Sequence, residues 1–400
     1  MFDSAKKIKN IILISLLTTI SLGFCFQNYS SNTYLSGWDT LQSEFDFGIA
    51  FNRAFSPAFQ EHQGLGAVSS QSHIGDLPRI TFLFLLSFIF SENFLRYSYV
   101  FLMLIIGPLG VYYFLKDLLT KDFNDEEDES MLFPSFMGAL FYLTNLSVVQ
   151  HFNIPLEMFL TLFGFLGFVF LYLARFLRDT SKLNLRNLVL VSFLISPSSH
   201  TATLFYMFLM IVGIYLLVNI LISEDRKLAL RNSVAALSLI IGANLFWIFP
   251  NVYFILTHGQ EVSNSKIHLL FSDQAYLSNL AFGNLSDISL LKNYLFIWQI
   301  WNGERFVNLL ESWIANLNIG IYLFGYLLFF LAVVGIGLSL VRKEKKLYSF
   351  VIIFFLSSLF IASSNSIVGN VFDFLRDNVP FMKEALRFPF NKFSTIFSFV

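Results

Sequence analysis

The chain has 400 residues, of which 56% are hydrophobic and only 13% are charged. Soluble domains carry about 25% charged residues, and so few charges cannot cover a soluble surface, so the composition predicts a polytopic membrane protein. The formal net charge of −1, without a basic face that carries interleaved aromatics, argues against a nucleic-acid-binding protein. The single cysteine, Cys25, excludes an intrachain disulfide and a multi-cysteine metal site.

Long apolar runs predict about ten membrane spans. Three lysines precede the first run, which extends from Ile11 to Phe26 and is not followed by a small-x-small cleavage site. We therefore interpret this run as an uncleaved span with a cytoplasmic N-terminus. Because the last run stops at Val400, we expect a truncated chain. The further runs lie near 97–115, 131–149, 156–174, 187–199, 202–222, 233–256, 317–341 and 347–364, with the last one from about 393.

The segment Ile80–Phe90 decides the orientation of every later loop. It follows Pro78 and is too short to span a bilayer core of about 30 Å. A half-buried surface helix there places the connections Arg175–Arg186 and Arg342–Lys346 inside, whereas a full span places them outside. The positive-inside rule favours the surface helix, because most of the 26 Lys and Arg residues then lie on short inner connections.

This topology predicts an all-α protein with a single transmembrane domain over residues 1–400. Its outer loops are 27–96, 257–315 and 365–392, and its inner connections are short. No GxxxxGK[ST] pattern occurs, so we expect no nucleotide-driven motor. Since all the histidines fall on the outer side, we expect the polar chemistry there: His62, His73, His151, His200, His258 and His268.

The first outer loop is the most polar part of the chain. Phenylalanines at 47, 51, 55 and 59 step by four, which predicts an amphipathic helix lying flat on the membrane. Asp39 precedes that helix and lies close to the exit of the first span, where it is a candidate catalytic base or simply a helix cap. The candidate substrate-binding residues of this loop are Glu44, Asp46, Glu61, His62, His73, Asp76 and Arg79.

Three other outer segments add polar candidates. His151 and Glu157 lie in the turn 150–157. Glu157 either has a functional role, as ionisable residues at the start of a span often do, or caps the helix that Pro155 opens. His200 lies in the turn 196–201 and is a substrate ligand or a hydrogen-bonded turn residue. Arg387 and Lys392 lie among aromatics before the last run, where two cations bind a phosphate or anchor the chain at the interface.

The order of these segments resembles the GT-C superfamily of membrane glycosyltransferases. In that family, a first span leads into a large outer loop with an early acid and surface helices. Gly37-Trp38-Asp39 looks like the acidic motif, and Ile80–Leu119 resembles the surface helix plus second span. The Ser91-Glu92-Asn93 turn and Arg96 are similar to the connection between them.

Two further segments carry the resemblance. Gln150–Glu157 matches the position of the family's second outer loop, although it has no Asp-x-Asp motif, which leaves a divalent metal an open question. Leu386–Phe393 looks like the Phe-Arg-x-Pro-x-Lys-Phe signature of the large cell-envelope arabinofuranosyltransferases. The resemblance implies that Asp39 is the catalytic carboxylate in a multi-pass protein of the plasma (inner) membrane. It also implies a polyprenyl-phosphate sugar donor and a glycan, lipid or protein acceptor.

The chemistry is sensible without the resemblance. Phosphate is a good leaving group and an acceptor hydroxyl is a poor nucleophile, so one carboxylate that takes the hydroxyl proton is enough for an inverting displacement. Cations stabilise the departing phosphate. Two other classes stay open: a polytopic transporter or lipid flippase, and a non-catalytic GT-C-like protein of envelope assembly.

Overall fold

The structure is a computed structural model. It describes residues 2–35, 41–56, 59–60, 67–68, 73–120, 129–148, 155–280, 282–293, 299–301, 303–308, 319–362, 367–379 and 382–400. The described chain is almost entirely helical, which confirms the predicted all-α class. Its only described strands form two short antiparallel hairpins, β1 (Phe59–Gln60) with β2 (Ala67–Val68) and β3 (Gln299–Trp301) with β4 (Phe306–Asn308).

The helices follow one another along the chain. In order they are α1 (Phe2–Gln27), α2 (Phe47–Phe55), α3 (Leu77–Leu86), α4 (Glu92–Leu119), α5 (Leu132–Thr144), α6 (Glu157–Arg178), α7 (Lys182–Leu194), α8 (Ala202–Ile222), α9 (Arg226–Asn264), α10 (Lys266–Leu280), α11 (Leu285–Leu290), α12 (Ile319–Val341), α13 (Tyr348–Ile361), α14 (Ile367–Asn378), α15 (Met382–Ala385) and α16 (Pro389–Phe399).

Among the described residues, six helical segments are long and apolar enough to cross a membrane, so the chain is an integral membrane protein. A bent pair within α9, with an angle of 81° between its halves, makes a seventh if it forms one span. The count of about ten is not confirmed, because α7, α13 and α16 have only 13, 14 and 11 residues. The six segments are Lys6–Gln27, Glu92–Leu119, Glu129–Val148, Glu157–Arg178, Ala202–Ile222 and Tyr322–Val341.

The chain divides into two compact units. The first contains Met1–Thr144, Ile154–His258 and Phe399, and the second contains Asn145–Asn153, Gly259–Ser398 and Val400. The two units describe where the chain packs most densely. That residues 1–400 form a single transmembrane domain stays a prediction.

Close packing of α4 on α6 forms the centre of the first unit. A Cβ atom on Gly167 would lie only 2.5 Å from the carbonyl carbon of Gly110, so the two backbones meet directly. Tyr142 of α5 stacks on Phe163 at a ring-centroid distance of 4.4 Å and donates a hydrogen bond to the Phe163 carbonyl at 3.0 Å. These contacts fix α4, α5 and α6 as one packed layer.

The helices α4 and α6 run in the same direction. At their C-terminal ends, Arg175 Nε lies 2.9 Å from Asp117 Oδ1, and Arg178 also pairs with Asp117. Arg96, near the start of α4, pairs with Glu157, the first residue of α6. The start of both helices is therefore at one end of the packed pair.

The predicted phenylalanine helix is shorter than expected. α2 ends at Phe55, and Phe59 belongs to β1. Pro57 accounts for the early end, because the residue before a proline is disfavoured in the helical conformation. The rings of Phe47 and Phe51 pack edge-on against Phe84 of α3, at centroid distances of 5.5 and 5.6 Å. Part of the predicted membrane-facing stripe is thus used for packing on α3.

Helix α3 has ten residues, overlaps the first part of Ile80–Phe90 and is not among the segments long enough to span a membrane. Within α3, Ile80 and Leu83 are buried, whereas Leu85 is exposed. The location of this helix on the outer membrane surface stays a prediction.

The second unit contains its own polar and aromatic contacts. Asp273 of α10 lies 2.9 Å from both Arg376 Nη2 and Lys383 Nζ. Phe393 of α16 stacks on Phe360 of α13 at a centroid distance of 4.4 Å.

Candidate functional site

Five charged side chains from distant parts of the sequence are buried together in the first unit. Every one of them is at most 4% exposed. They come from helix beginnings: a 3-10 turn before α2, the start of α3, the fifth residue of α4 and the first residue of α6. We call this group the charge cluster; its members are Glu44, Asp76, Arg79, Arg96 and Glu157.

Acids and arginines alternate through the charge cluster. Arg79 holds Asp76 with two hydrogen bonds, Nε to Oδ1 at 2.8 Å and Nη2 to Oδ2 at 2.6 Å. Its Nη1 lies 3.9 Å from Glu157 Oε1, to which Arg96 also donates a short hydrogen bond. Arg96 Nη1 lies 3.3 Å from Glu44 Oε1. Each arginine therefore lies between two carboxylates.

Three carboxylates and two arginines leave the charge cluster with one surplus negative charge when all are ionised. Burial raises the pKa of Glu44 and of Asp76 because it disfavours a charged carboxyl, and the arginines only partly oppose this. Within the described chain, both Glu44 oxygens are buried without a hydrogen bond. Glu44 is therefore the least compensated of the three acids.

The arginines also bind the backbone of the first loop. Arg96 Nε donates to the Leu35 carbonyl, and Arg96 Nη1 donates to the Leu41 carbonyl at 3.3 Å. Arg79 Nη2 donates to the same Leu41 carbonyl at 3.1 Å. Leu35 and Leu41 are the described residues on either side of 36–40, the segment that contains Asp39 and lies outside the described residues.

Two histidines from separate turns lie next to the charge cluster. The rings of His73 and His200 have centroids 6.1 Å apart, and His200 lies within electrostatic range of Asp76. Ser196 Oγ donates to the Gly75 carbonyl at 3.1 Å. A Cβ atom on Gly75 would lie 2.0 Å from Ser199 Oγ, so a larger residue there would require the Ser199 hydroxyl to move.

The structure thus gathers half of the predicted substrate-binding residues in one place: Glu44, Asp76, Arg79, Glu157, His73 and His200. Asp46 is exposed and accepts a hydrogen bond from the Ile49 backbone at 2.9 Å, which caps α2. The catalytic candidate Asp39 and the binding candidates Glu61, His62 and His151 lie outside the described residues.

The two cations predicted to bind phosphate lie in the second unit. Arg387 Nε donates to Ser272 Oγ at 3.1 Å, and Lys392 is buried in the first turn of α16. Their binding role, like that of every candidate above, stays a prediction.

Arg96 is the residue that the sequence reasoning did not select for the site. It was noted only as part of the connection before the second span. An arginine in the second turn of a long apolar helix is itself a signal, because a charge there needs a buried partner.

Among the described residues, no group of three or more His, Cys, Asp or Glu side chains is arranged to hold a metal ion. The question of a divalent metal therefore stays open. No protein-family model, curated protein or solved structure matches the chain.

Proposed function

We propose that this protein is a GT-C-type membrane glycosyltransferase. It moves a sugar from a polyprenyl-phosphate-linked donor to an envelope glycan, lipid or protein acceptor on the extracytoplasmic face. In this proposal it is a multi-pass protein of the plasma (inner) membrane with a cytoplasmic N-terminus. The observation that carries the proposal is the charge cluster, whose two arginines bind the backbone on either side of Gly37-Trp38-Asp39.

The free-energy cost of burying the charge cluster supports a functional role for it. Taking five charges out of water is expensive, and replacing a buried ion network with apolar side chains is often neutral or stabilising. A network that also binds the Leu35 and Leu41 carbonyls fixes these two residues at the start of α4 and α6. A positioned carboxylate is what the proposed reaction needs.

Asp39 is the proposed general base. It accepts the proton of the acceptor hydroxyl while that oxygen attacks the anomeric carbon. The bond from the anomeric carbon to the phosphate oxygen breaks, and polyprenyl phosphate leaves with the electron pair. Arg387 and Lys392 are the proposed cations for the lipid phosphate, since fixed cations stabilise that charge as it develops.

The distribution of cations supports the proposed orientation. The end of the α4–α6 pair opposite the charge cluster carries Arg175 and Arg178, and the next connection adds Lys182. Basic residues favour the cytoplasmic side of short connections. The charge cluster then belongs to the extracytoplasmic end.

The decisive experiment compares Asp39→Asn with the wild type in proteoliposomes. The substrates are synthetic polyprenyl-phosphate-linked pentoses and hexoses together with an envelope glycan, lipid or protein acceptor, and the measured products are the glycosylated acceptor and the released polyprenyl phosphate. We expect Asp39→Asn to lower the rate by about 10²–10⁴-fold. The matched control is Asp225→Asn, which changes an exposed acid that accepts a hydrogen bond from the Leu228 backbone at the start of α9 and should keep near wild-type activity.

Near wild-type turnover in Asp39→Asn would contradict the role of this carboxylate. No turnover of any donor by the wild type, together with movement of the labelled lipid between leaflets, would favour the flippase instead.

A further inference from the structure

The guanidinium of Arg96 makes an unusual set of contacts for a side chain at the start of an apolar helix. It donates to two backbone carbonyls, those of Leu35 and Leu41, and pairs with the carboxylates of Glu44 and Glu157. Its side chain is only 2% exposed. Leu35 and Leu41 are themselves half-buried.

The two arginines differ in the backbone carbonyls that they bind. Arg79 donates to Asp76 through Nε and Nη2, and its Nη2 also donates to the Leu41 carbonyl. Arg96 reaches carbonyls on both sides of 36–40. Because the guanidinium is planar and offers several donors in a fixed fork, it can hold two acceptors at a set separation.

Glu157 keeps that fork in place. It is the first residue of α6, and its Oε1 accepts from Arg96, while α6 itself is packed backbone to backbone on α4. The direction of the Arg96 side chain is therefore set by two rigid helices. A side chain held by packed helices keeps its position more precisely than a side chain on a loop does.

We infer that Arg96 is a positioning residue: through its hydrogen bonds to the Leu35 and Leu41 carbonyls it fixes these two backbone points relative to α4 and α6. This inference rests on the proposed function only where it concerns the reaction. There, the role of Arg96 is to fix Leu35 and Leu41, the described residues on either side of the segment that contains Asp39.

The first test measures the two backbone points without any activity. Spin labels are placed at Leu35→Cys and Leu41→Cys, with Cys25 replaced by serine, and dipolar broadening of the EPR spectrum reports their separation. The contacts involve carbonyls, so the labelled side chains leave them intact. We expect strong, narrow dipolar coupling with Arg96 present and a broadened, weaker coupling in Arg96→Gln and in Arg96→Lys.

Arg96→Lys is the sharper variant. It keeps the positive charge between Glu44 and Glu157 but loses the fork, since an ammonium is a point charge. The matched control is Arg175→Lys, which makes the same exchange in the ion pair with Asp117 at the other end of the helix pair. The control should keep the wild-type coupling. Unchanged coupling in both Arg96 variants would overturn the inference.

The second test measures the reaction. A positioning role predicts that Arg96→Lys lowers kcat by about 10²-fold, as misplacement by about 1 Å does, with little change in KM. A large rise in KM with kcat retained would mean that Arg96 binds substrate, and would overturn the inference.

The two proposals fail separately. If Asp39→Asn keeps its activity while the EPR coupling depends on Arg96, the assignment of Asp39 as general base is wrong and the positioning role stands. If the coupling does not depend on Arg96 while Asp39→Asn is inactive, the positioning role is wrong and the proposed function stands.

Discussion

Glu157 and Glu44 occupy different places in the charge cluster and should respond differently to the loss of their charge. Glu157 accepts from Arg96 and lies 3.9 Å from Arg79, so it links both arginines. Glu44 is terminal, and neither of its oxygens makes a hydrogen bond in the described chain. When all five groups are ionised, the cluster has one surplus negative charge, and Glu44 is the acid whose charge is least compensated.

We predict that Glu157→Gln destabilises the protein by about 1.5–3 kcal/mol, the usual contribution of hydrogen bonds to charged groups. The matched control, Glu44→Gln, removes the uncompensated charge and should keep the wild-type stability or raise it. The measurement is the midpoint of thermal unfolding in detergent. Equal losses in the two variants would show that the alternation of charges does not order the cluster.

We predict a pH dependence from the raised pKa of Glu44. An acid whose pKa is higher in the folded than in the unfolded state binds its proton more tightly when folded. Its stabilising contribution is therefore fully present below the ordinary value of about 4.3 and is lost as the pH rises through the folded-state pKa. The unfolding midpoint of the wild type should thus fall, relative to Glu44→Gln, as the pH is raised from about 4. A difference that grows in favour of the wild type with rising pH would contradict this.

Helix pairing in the first unit depends on the absence of side chains at the α4–α6 contact. We predict that Gly167→Ala destabilises the protein by about 1–3 kcal/mol, because its Cβ would lie 2.5 Å from backbone atoms of Gly110 and Val111. Gly213→Ala on α8 is the matched control, since nothing lies within 4 Å of its Cβ position. The control should be neutral or stabilising by up to about 1 kcal/mol, the difference in helix propensity. Both variants are measured by the midpoint of thermal unfolding. An unchanged midpoint in Gly167→Ala would mean that α4 and α6 can move apart with little loss of stability.

The helices were predictable from the sequence wherever the local pattern of apolar and helix-breaking residues determines them. The long apolar helices, the short α3 and the polar turn before α8 follow from hydrophobicity and helix-breaking residues. The early end of α2 could have been found from Pro57. The distant partners could not: nothing local in the sequence states that Arg96 meets Glu157, or that Gly75 fits against Ser199. Such pairs depend on how helices pack, which a one-dimensional pattern does not contain.

At the scale of the whole molecule, two ion-paired ends define an axis along α4 and α6. The charge cluster marks the start of both helices, and the pairs of Asp117 with Arg175 and Arg178 mark their ends. Ser91 precedes α4 and Thr180 follows α6, and both are exposed. These two positions therefore report on opposite ends of the axis.

The last prediction is that Ser91 and Thr180 face opposite sides of the membrane, with Ser91 outside. Three candidate spans separate them, Glu92–Leu119, Glu129–Val148 and Glu157–Arg178, and an odd number of crossings changes sides. Single Ser91→Cys and Thr180→Cys variants in a Cys25→Ser background are labelled in intact cells with a membrane-impermeant maleimide. We expect Ser91→Cys to react at once and Thr180→Cys only after the membrane is opened. Labelling of both from one side would contradict the three crossings. The reverse pattern would keep the crossings, but it would place the charge cluster on the cytoplasmic side, where the proposed extracytoplasmic sugar transfer could not occur.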